Sequence, residues 1–176
     1  MTTDKTQQLQ VPKLLKESLV DFALATGIQY FKSNSYGTGR RFCNLNLLDI
    51  HLTDQVKKFA DSCFKEIFNV VVIEEPSFGN FLGVNNTGAY VHEHKDGKGP
   101  NNEWHVRLNF LIQKPLGGGM PVINGNTLSL NENDCWINLA SQWYHSSTPV
   151  EGNRSRIVLS LGSFVDQSSV IRSLSL

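Results

Sequence analysis

Two short segments hold residue types that together could bind a transition metal. Residues 88–99 (GAYVHEHKDGKG) carry His92, His94 and Asp96 at one parity, so on a strand running into a loop all three project to the same side. His94 and Asp96 form an H-x-D pair. About fifty residues on, His145 in NLASQWYHSSTP offers a third ligand, which a later strand of a barrel returns to the first two. Two imidazoles and one carboxylate are the facial triad of non-haem Fe(II) sites, whose other positions stay open for a co-substrate and O2. A lone H-x-D is common by chance, and the ordered set of three carries the signal. Eleven residues beyond His145 comes Arg156, opening RIVLS, with Ser160 at the same parity. An arginine that faces a pocket needs an anion there, and its planar fork matches a carboxylate.

The elements that must position these groups are legible in outline. Residues 11–27 (VPKLLKESLVDFALATG) place Leu14, Leu15, Leu19, Phe22 and Ala23 at helical spacing, with Pro12 near the start and Gly27 as a stop. Thr53 caps a second expected helix, DQVKKFADSCFKEIF, with Val56, Phe59, Cys63 and Phe64 on one face and Ile67 near it. From Asn69 onward, short runs of Val, Ile, Phe and Tyr broken by Gly, Pro, Asn and Asp read as antiparallel strands of a sandwich or barrel. Within 121–130, Asn124-Gly125 marks a type I′ hairpin. In 105–112, Val106, Leu108, Phe110 and Ile112 alternate with His105, Arg107, Asn109 and Leu111. In 154–164, Ile157, Leu159 and Leu161 oppose Arg154, Arg156, Val158 and Ser160. Helices covering the apolar faces would leave the polar side chains lining a concave pocket, as a ligand or metal site requires.

Other residues near these segments have two readings. Tyr90 and Trp104 suit either a substrate mouth or cross-strand packing. His92 shares the site face as a neighbour of the ligands, and His105 reads as structural. Gly117-Gly118-Gly119 reads as a flexible loop able to gate the pocket, and Cys135 as a buried thiol.

Composition narrows the classes. The chain has 176 residues, 40% hydrophobic and 18% charged, which suits one domain over 11–176 behind a polar tail, 1–10, and excludes disorder over most of the length. Sixteen Lys and Arg balance sixteen Asp and Glu, with no basic run to neutralise phosphates, so no nucleic acid is expected as a partner. Three cysteines without a C-x-x-C pair imply a reduced protein; no leader or apolar run of membrane-spanning length is seen, so a soluble, cytoplasmic protein is expected.

The H-x-D pair, the distal His, the Arg some ten residues later and the Ser four beyond it resemble the Fe(II)- and 2-oxoglutarate-dependent dioxygenase superfamily. Residues 134–164 (DCWINLASQWYHSSTPVEGNRSRIVLSLGSF) are similar to its run of acidic residue, apolar strand, His, Pro-Val, Gly, Arg and alternating strand. The likeness covers 88–164 and is nearest the small prolyl- and aspartyl/asparaginyl-hydroxylase-like groups. It implies a mainly β fold with flanking helices (α+β): a double-stranded β-helix, cupin-like or jelly-roll, with N-terminal helices packed on one sheet. It implies that His94, Asp96 and His145 bind Fe(II) and that Arg156, helped by Ser160, pairs with the distal carboxylate of 2-oxoglutarate. O2 would oxidise that co-substrate to succinate and CO2 as a substrate carbon is hydroxylated, an outcome Asp96 favours over halogenation. Arg154, two residues earlier and facing the same way, is the alternative partner for that carboxylate. Arg107 and Asn109 stand where an R-x-H of aspartyl-hydroxylase-like proteins contacts the co-substrate, with Asn replacing His.

Two other functions fit parts of the pattern. A metal cupin without 2-oxoglutarate would use His92, His94, His145 and Glu103, but leaves Arg156 without a task. A non-catalytic jelly-roll module would hold a sugar or organic acid. The substrate class stays open among a small metabolite, a free amino acid and a peptide side chain, with no membrane partner, and either a small open pocket or a homodimer that closes it.

Overall fold

The computed structural model describes residues 3–176 other than 27, 34, 49–50, 74, 76–78 and 102. Short helices come first, α1 (Asp4–Gln8) and α2 (Lys13–Asp21), followed by a π-helical turn over Phe22–Thr26. Strands β1 (Lys32–Ser33) and β2 (Gly37–Asn44) precede the long helix α3 (His51–Phe68). Then come β3 (Phe81–Val91), β4 (Glu103–Gln113), β5 (Gly117–Gly118), β6 (Pro121–Ile123) and β7 (Asn126–Thr127). The chain ends with β8 (Cys135–Leu139), β9 (His145–Ser147), β10 (Val150–Glu151), β11 (Arg156–Asp166) and α4 (Gln167–Leu174).

The large sheet is antiparallel in the order β1-β2-β3-β11-β4-β8, faced by a small sheet β7-β6-β9 and the pair β10-β5. Side-chain alternation gives the large sheet two chemically different faces. Val106, Leu108, Phe110 and Ile112 of β4 and Ile157, Leu159 and Leu161 of β11 point to one side. There they share a core with Leu15 and Leu19 of α2, Val56, Cys63, Phe64 and Ile67 of α3, and Val170 of α4. Each such buried aliphatic or aromatic side chain contributes about 1.5–3 kcal/mol. The other face carries His105, Arg107, Asn109 and Arg156, all buried. Both alternations expected from sequence are therefore present, with helices over the apolar face. At the hairpin, Asn124 and Gly125 both take positive φ, 48° and 79°, as a type I′ turn requires.

Several expectations need correction. The first helix is shorter than 11–27: regular α-helix stops at Asp21, and the expected stop, Gly27, lies outside the described residues. Leu14 is 77% exposed while Leu15 is buried, since neighbours about 100° apart on a helix cannot both face the sheet. Thr53 is not the cap of α3 but its third residue; its hydroxyl donates to the carbonyls of Leu45 (2.8 Å) and Leu48 (3.0 Å), tying the helix to the turn before it. The segment expected as a polar tail, 1–10, forms α1, closed by reciprocal Thr3 and Thr6 hydrogen bonds, and sends Leu9 into the core, next to which Val11 is also buried. The Asn133 side chain holds Val11 through both its backbone N–H and its carbonyl. Strand β2 and helix α4 were not anticipated. The β2 sequence GTGRRFCN has no apolar alternation and forms by pairing with β3. The Asp166 carboxylate caps α4 by accepting from the backbone N–H of Ser168 and Ser169.

Candidate active site

His94 lies in the loop after β3, and His145 opens β9. The two are joined by a reciprocal backbone bridge, His94 N–H to His145 O at 3.1 Å and His145 N–H to His94 O at 2.9 Å, which sets their side chains against each other across a sequence gap of about fifty residues. Asp96 is pinned by its own N–H to the carbonyl of Ala140 (2.8 Å). As a result, the Nε2 atoms of His94 and His145 stand 3.4 and 3.7 Å from Asp96 Oδ1, and the three ligand-capable atoms all lie within 4.8 Å of one another. His94 Nδ1 sits 2.7 Å from the carbonyl of His92, and His145 Nδ1 sits 3.2 Å from that of Trp143. Carbonyls accept only, so each Nδ1 carries the hydrogen and each Nε2 turns a lone pair toward the cluster, the tautomer a metal needs. Burial, reinforced by His94, lowers the pKa of His145 to about 4 against the pull of Asp96, so its imidazole is neutral. The donor set fits a divalent transition metal.

The second oxygen of Asp96 faces the sheet. Oδ2 is 3.3 Å from His105 Nδ1 and 3.5 Å from Arg107 Nε, both on β4. Arg107 in turn meets Glu75 Oε2 at 3.1 Å, the carbonyl of Gly79 at 3.2 Å and the Ser160 hydroxyl at 3.3 Å. Burial alone would raise the Asp96 pKa, but His94 beside it and the Arg107 charge hold it well below the usual carboxylate range. Burial and the nearby Arg107 push His105 down to about 4, so it stays neutral beside the carboxylate.

The opposite end of the cavity is built differently. Arg156, 7% exposed at the start of β11, leans over the Trp136 ring at 5.9 Å, and its Nε has no protein partner. The strand register places it beside Asn85, whose other neighbour is Arg40 of β2. Asn85 is 1% exposed, and its Nδ2 also has no protein partner. Burial, then the charge of Arg40, lowers the Arg156 pKa to about 9. For Arg40, burial and Arg107 bring it to about 10 against the pull of Asp96, so both arginines remain charged at neutral pH. Arg40, Asn85 and Arg156 line one cavity with His94, Asp96 and His145. Buried donors are seldom left without acceptors. These donors fit a carboxylate ligand in the cavity.

The cavity gathers His94, Asp96, His145, Arg107, Asn109 and Arg156 from among the sequence-selected residues and leaves others aside. Arg154 lies before β11, exposed, and pairs with Glu132 at 2.9 Å. Ser160 is buried beneath Arg107 and does not reach the lining. Tyr90 and Trp104 also lie outside it, Trp104 packing on the apolar core, and His92 is exposed and hydrogen-bonded to Thr38. The triglycine is no free gate. Gly117-Gly118 pairs with β10, and a Cβ at Gly119 would meet Pro115, Val150 and the Arg156 side chain at 3.0–3.1 Å. His105, read as structural, touches Asp96 directly. Arg40, Asn85, Glu75 and Tyr36, whose ring stacks on His94 at 4.7 Å, were not anticipated. The only signal for Arg40 was an arginine pair in a glycine-rich stretch.

No protein-family model and no curated protein sequence matches the chain. Among solved structures it is similar to a Pseudomonas putida prolyl-4-hydroxylase (13% identity, 89% of each chain, TM-score 0.67). It is also similar to a viral collagen prolyl hydroxylase from Paramecium bursaria Chlorella virus-1 in a 2-oxoglutarate complex (15% identity, 88% of this chain and 91% of that one, TM-score 0.58). A third is a Trichoplax adhaerens prolyl hydroxylase in complex with a hypoxia inducible factor peptide fragment (14% identity, 94% of this chain and 84% of that one, TM-score 0.59). The chain shares with these solved structures a double-stranded β-helix fold.

Proposed function

We propose that the protein is an Fe(II)- and 2-oxoglutarate-dependent dioxygenase. It couples oxidative decarboxylation of 2-oxoglutarate to succinate with hydroxylation of a C–H bond in a small molecule, an amino acid or a peptide side chain. The observation that carries this reading is one cavity with two His Nε2 atoms and an Asp96 oxygen converging at one end and, at the other, Arg156, whose Nε has no protein partner.

In this reading His94, Asp96 and His145 hold Fe(II). Bound there, the ion would supply open positions at which the keto acid and O2 meet. Arg156 holds the distal carboxylate of the co-substrate and fixes its orientation, and Trp136 backs the guanidinium. His105 and Arg107 keep the Asp96 carboxylate turned so that one oxygen stays with the histidines. The Tyr36 ring stacks on His94 and helps to hold its orientation. Three buried, unlinked thiols, Cys43, Cys63 and Cys135, each raised in pKa by burial, are in keeping with a reducing, cytoplasmic setting. No helix among the described residues is long and apolar enough to cross a membrane.

The test is an anaerobic absorption titration with Fe(II) and then 2-oxoglutarate. A saturable charge-transfer band that disappears in His145→Ala is the expected result. Bound iron without a band would favour a metal-dependent cupin, and no iron binding a non-catalytic jelly-roll module.

A further inference from the structure

Arg40 and Arg156 flank Asn85 in adjoining strands, with all three side chains on the cavity face. Their guanidinium groups nevertheless diverge. Arg156 lies over Trp136 on the β8 side, at 5.9 Å. Arg40 lies over Phe81 of β3, at 5.4 Å, and Arg107 lies over the same ring at 4.7 Å, so the Arg40 head has moved from the Arg156 row toward the metal-capable end. Among the described residues no carboxylate is within ion-pair distance of either Arg40 or Arg156, whereas Arg107 has both Glu75 and Asp96. The heads rest on different aromatic floors, which separates them into two anion seats.

Charge counting points the same way and rests on the dioxygenase reading. Glu75 offsets Arg107, and Asp96 offsets one charge of a divalent ion. That leaves one positive charge on the ion and one on each of Arg40 and Arg156. The two carboxylates of 2-oxoglutarate neutralise two of these three. One positive charge at Arg40 stays unmatched in a buried cavity, where an unpaired charge is costly.

We propose that Arg40, with the Asn85 amide beside it, is the seat for an anionic group of the substrate to be oxidised, so that the substrate is an acid carrying a carboxylate.

Because that substrate is unidentified, the probe is 13C-acetate, with acetamide as its neutral match. The protein is loaded with Mn(II), saturated with 2-oxoglutarate, and the paramagnetic relaxation of the probe carboxyl is measured. Saturable relaxation by acetate, none by acetamide, at least about tenfold weaker acetate binding in Arg40→Gln and recovery to within about threefold in Arg40→Lys are expected. In parallel, 2-oxoglutarate affinity should fall less than about threefold in Arg40→Gln and more than about thirtyfold in Arg156→Gln. Acetate relaxation that is absent in the wild type, or unchanged in Arg40→Gln as direct metal binding would give, overturns the proposal. So does a 2-oxoglutarate loss in Arg40→Gln equal to that in Arg156→Gln, since the arginines would then share one seat. If the wild type binds no 2-oxoglutarate, the dioxygenase reading fails first, and this inference falls with it.

Discussion

Arg107 and Arg156 are both buried, both inward-facing and both on central strands of the same sheet, yet their surroundings are opposite. Arg107 touches two carboxylates, a carbonyl and a hydroxyl, and through Asp96 it becomes part of the scaffold that aims the metal-capable cluster. Arg156 has an aromatic floor, a like charge nearby and a partnerless Nε. A charge matched inside the protein fixes structure. A buried charge left unmatched is retained against a folding cost, which accords with the ligand-binding role proposed for Arg156.

The comparison breaks most completely at the cluster itself. Asp96→Ala removes one of three ligand groups and also strips His105 and Arg107 of their shared acceptor. Isothermal titration with Mn(II) should show affinity reduced by more than about 100-fold, beyond the roughly 10- to 100-fold cost of losing only a supporting hydrogen bond. Retained affinity would remove Asp96 from the metal set.

Substituting each arginine by methionine sharpens the contrast, because the stability effects should differ in sign. Arg107→Met leaves the Glu75 and Asp96 carboxylates without the cation they share, and urea denaturation should show a loss of about 3–5 kcal/mol. Arg156→Met removes a buried cation that has no counter-charge, so the ligand-free protein should gain about 1–3 kcal/mol while 2-oxoglutarate binding weakens by about 2–5 kcal/mol. If both variants destabilise alike, Arg156 is a structural residue like Arg107.

What the sequence made legible was periodic or ordered. The alternation of 105–112 and 154–164 assigned both faces of the sheet, and the H-x-D pair, distal His and following Arg placed four selected side chains around one cavity, which Arg107 and Asn109 of the alternating strand also line. The remainder depended on tertiary contacts that leave little local trace. Strand β2 exists because β3 offers it an edge, so Arg40 sat in what reads as a loop. His105 and Arg107 are the first and third residues of the same alternating run that was read correctly for face, but face alone does not say which carboxylate they meet. The preference for Arg156 over Arg154 rested on depth in the strand, and the structure places Arg154 in solvent beside Glu132 for that reason.

Arg154 therefore yields the smallest prediction. Its pair with Glu132 is half-exposed and shared with Lys16, which approaches the same carboxylate at 2.8 Å, and Lys114 N–H donates to it as well. Burial opposes ionisation of Glu132, but Lys16, Lys114 and, least, Arg154 hold its pKa below the ordinary value. A lowered carboxylate pKa contributes stability above the unfolded-state value, about 4.3, and loses it as pH falls through the folded-state value. Arg154→Ala should cost at most about 0.5 kcal/mol at pH 7 in urea denaturation, with the difference shrinking in high salt and vanishing at acid pH. Its 2-oxoglutarate affinity should match the wild type. A larger loss of affinity in Arg154→Ala than in Arg156→Met would mean that the co-substrate meets the strand two residues earlier than the cavity geometry indicates.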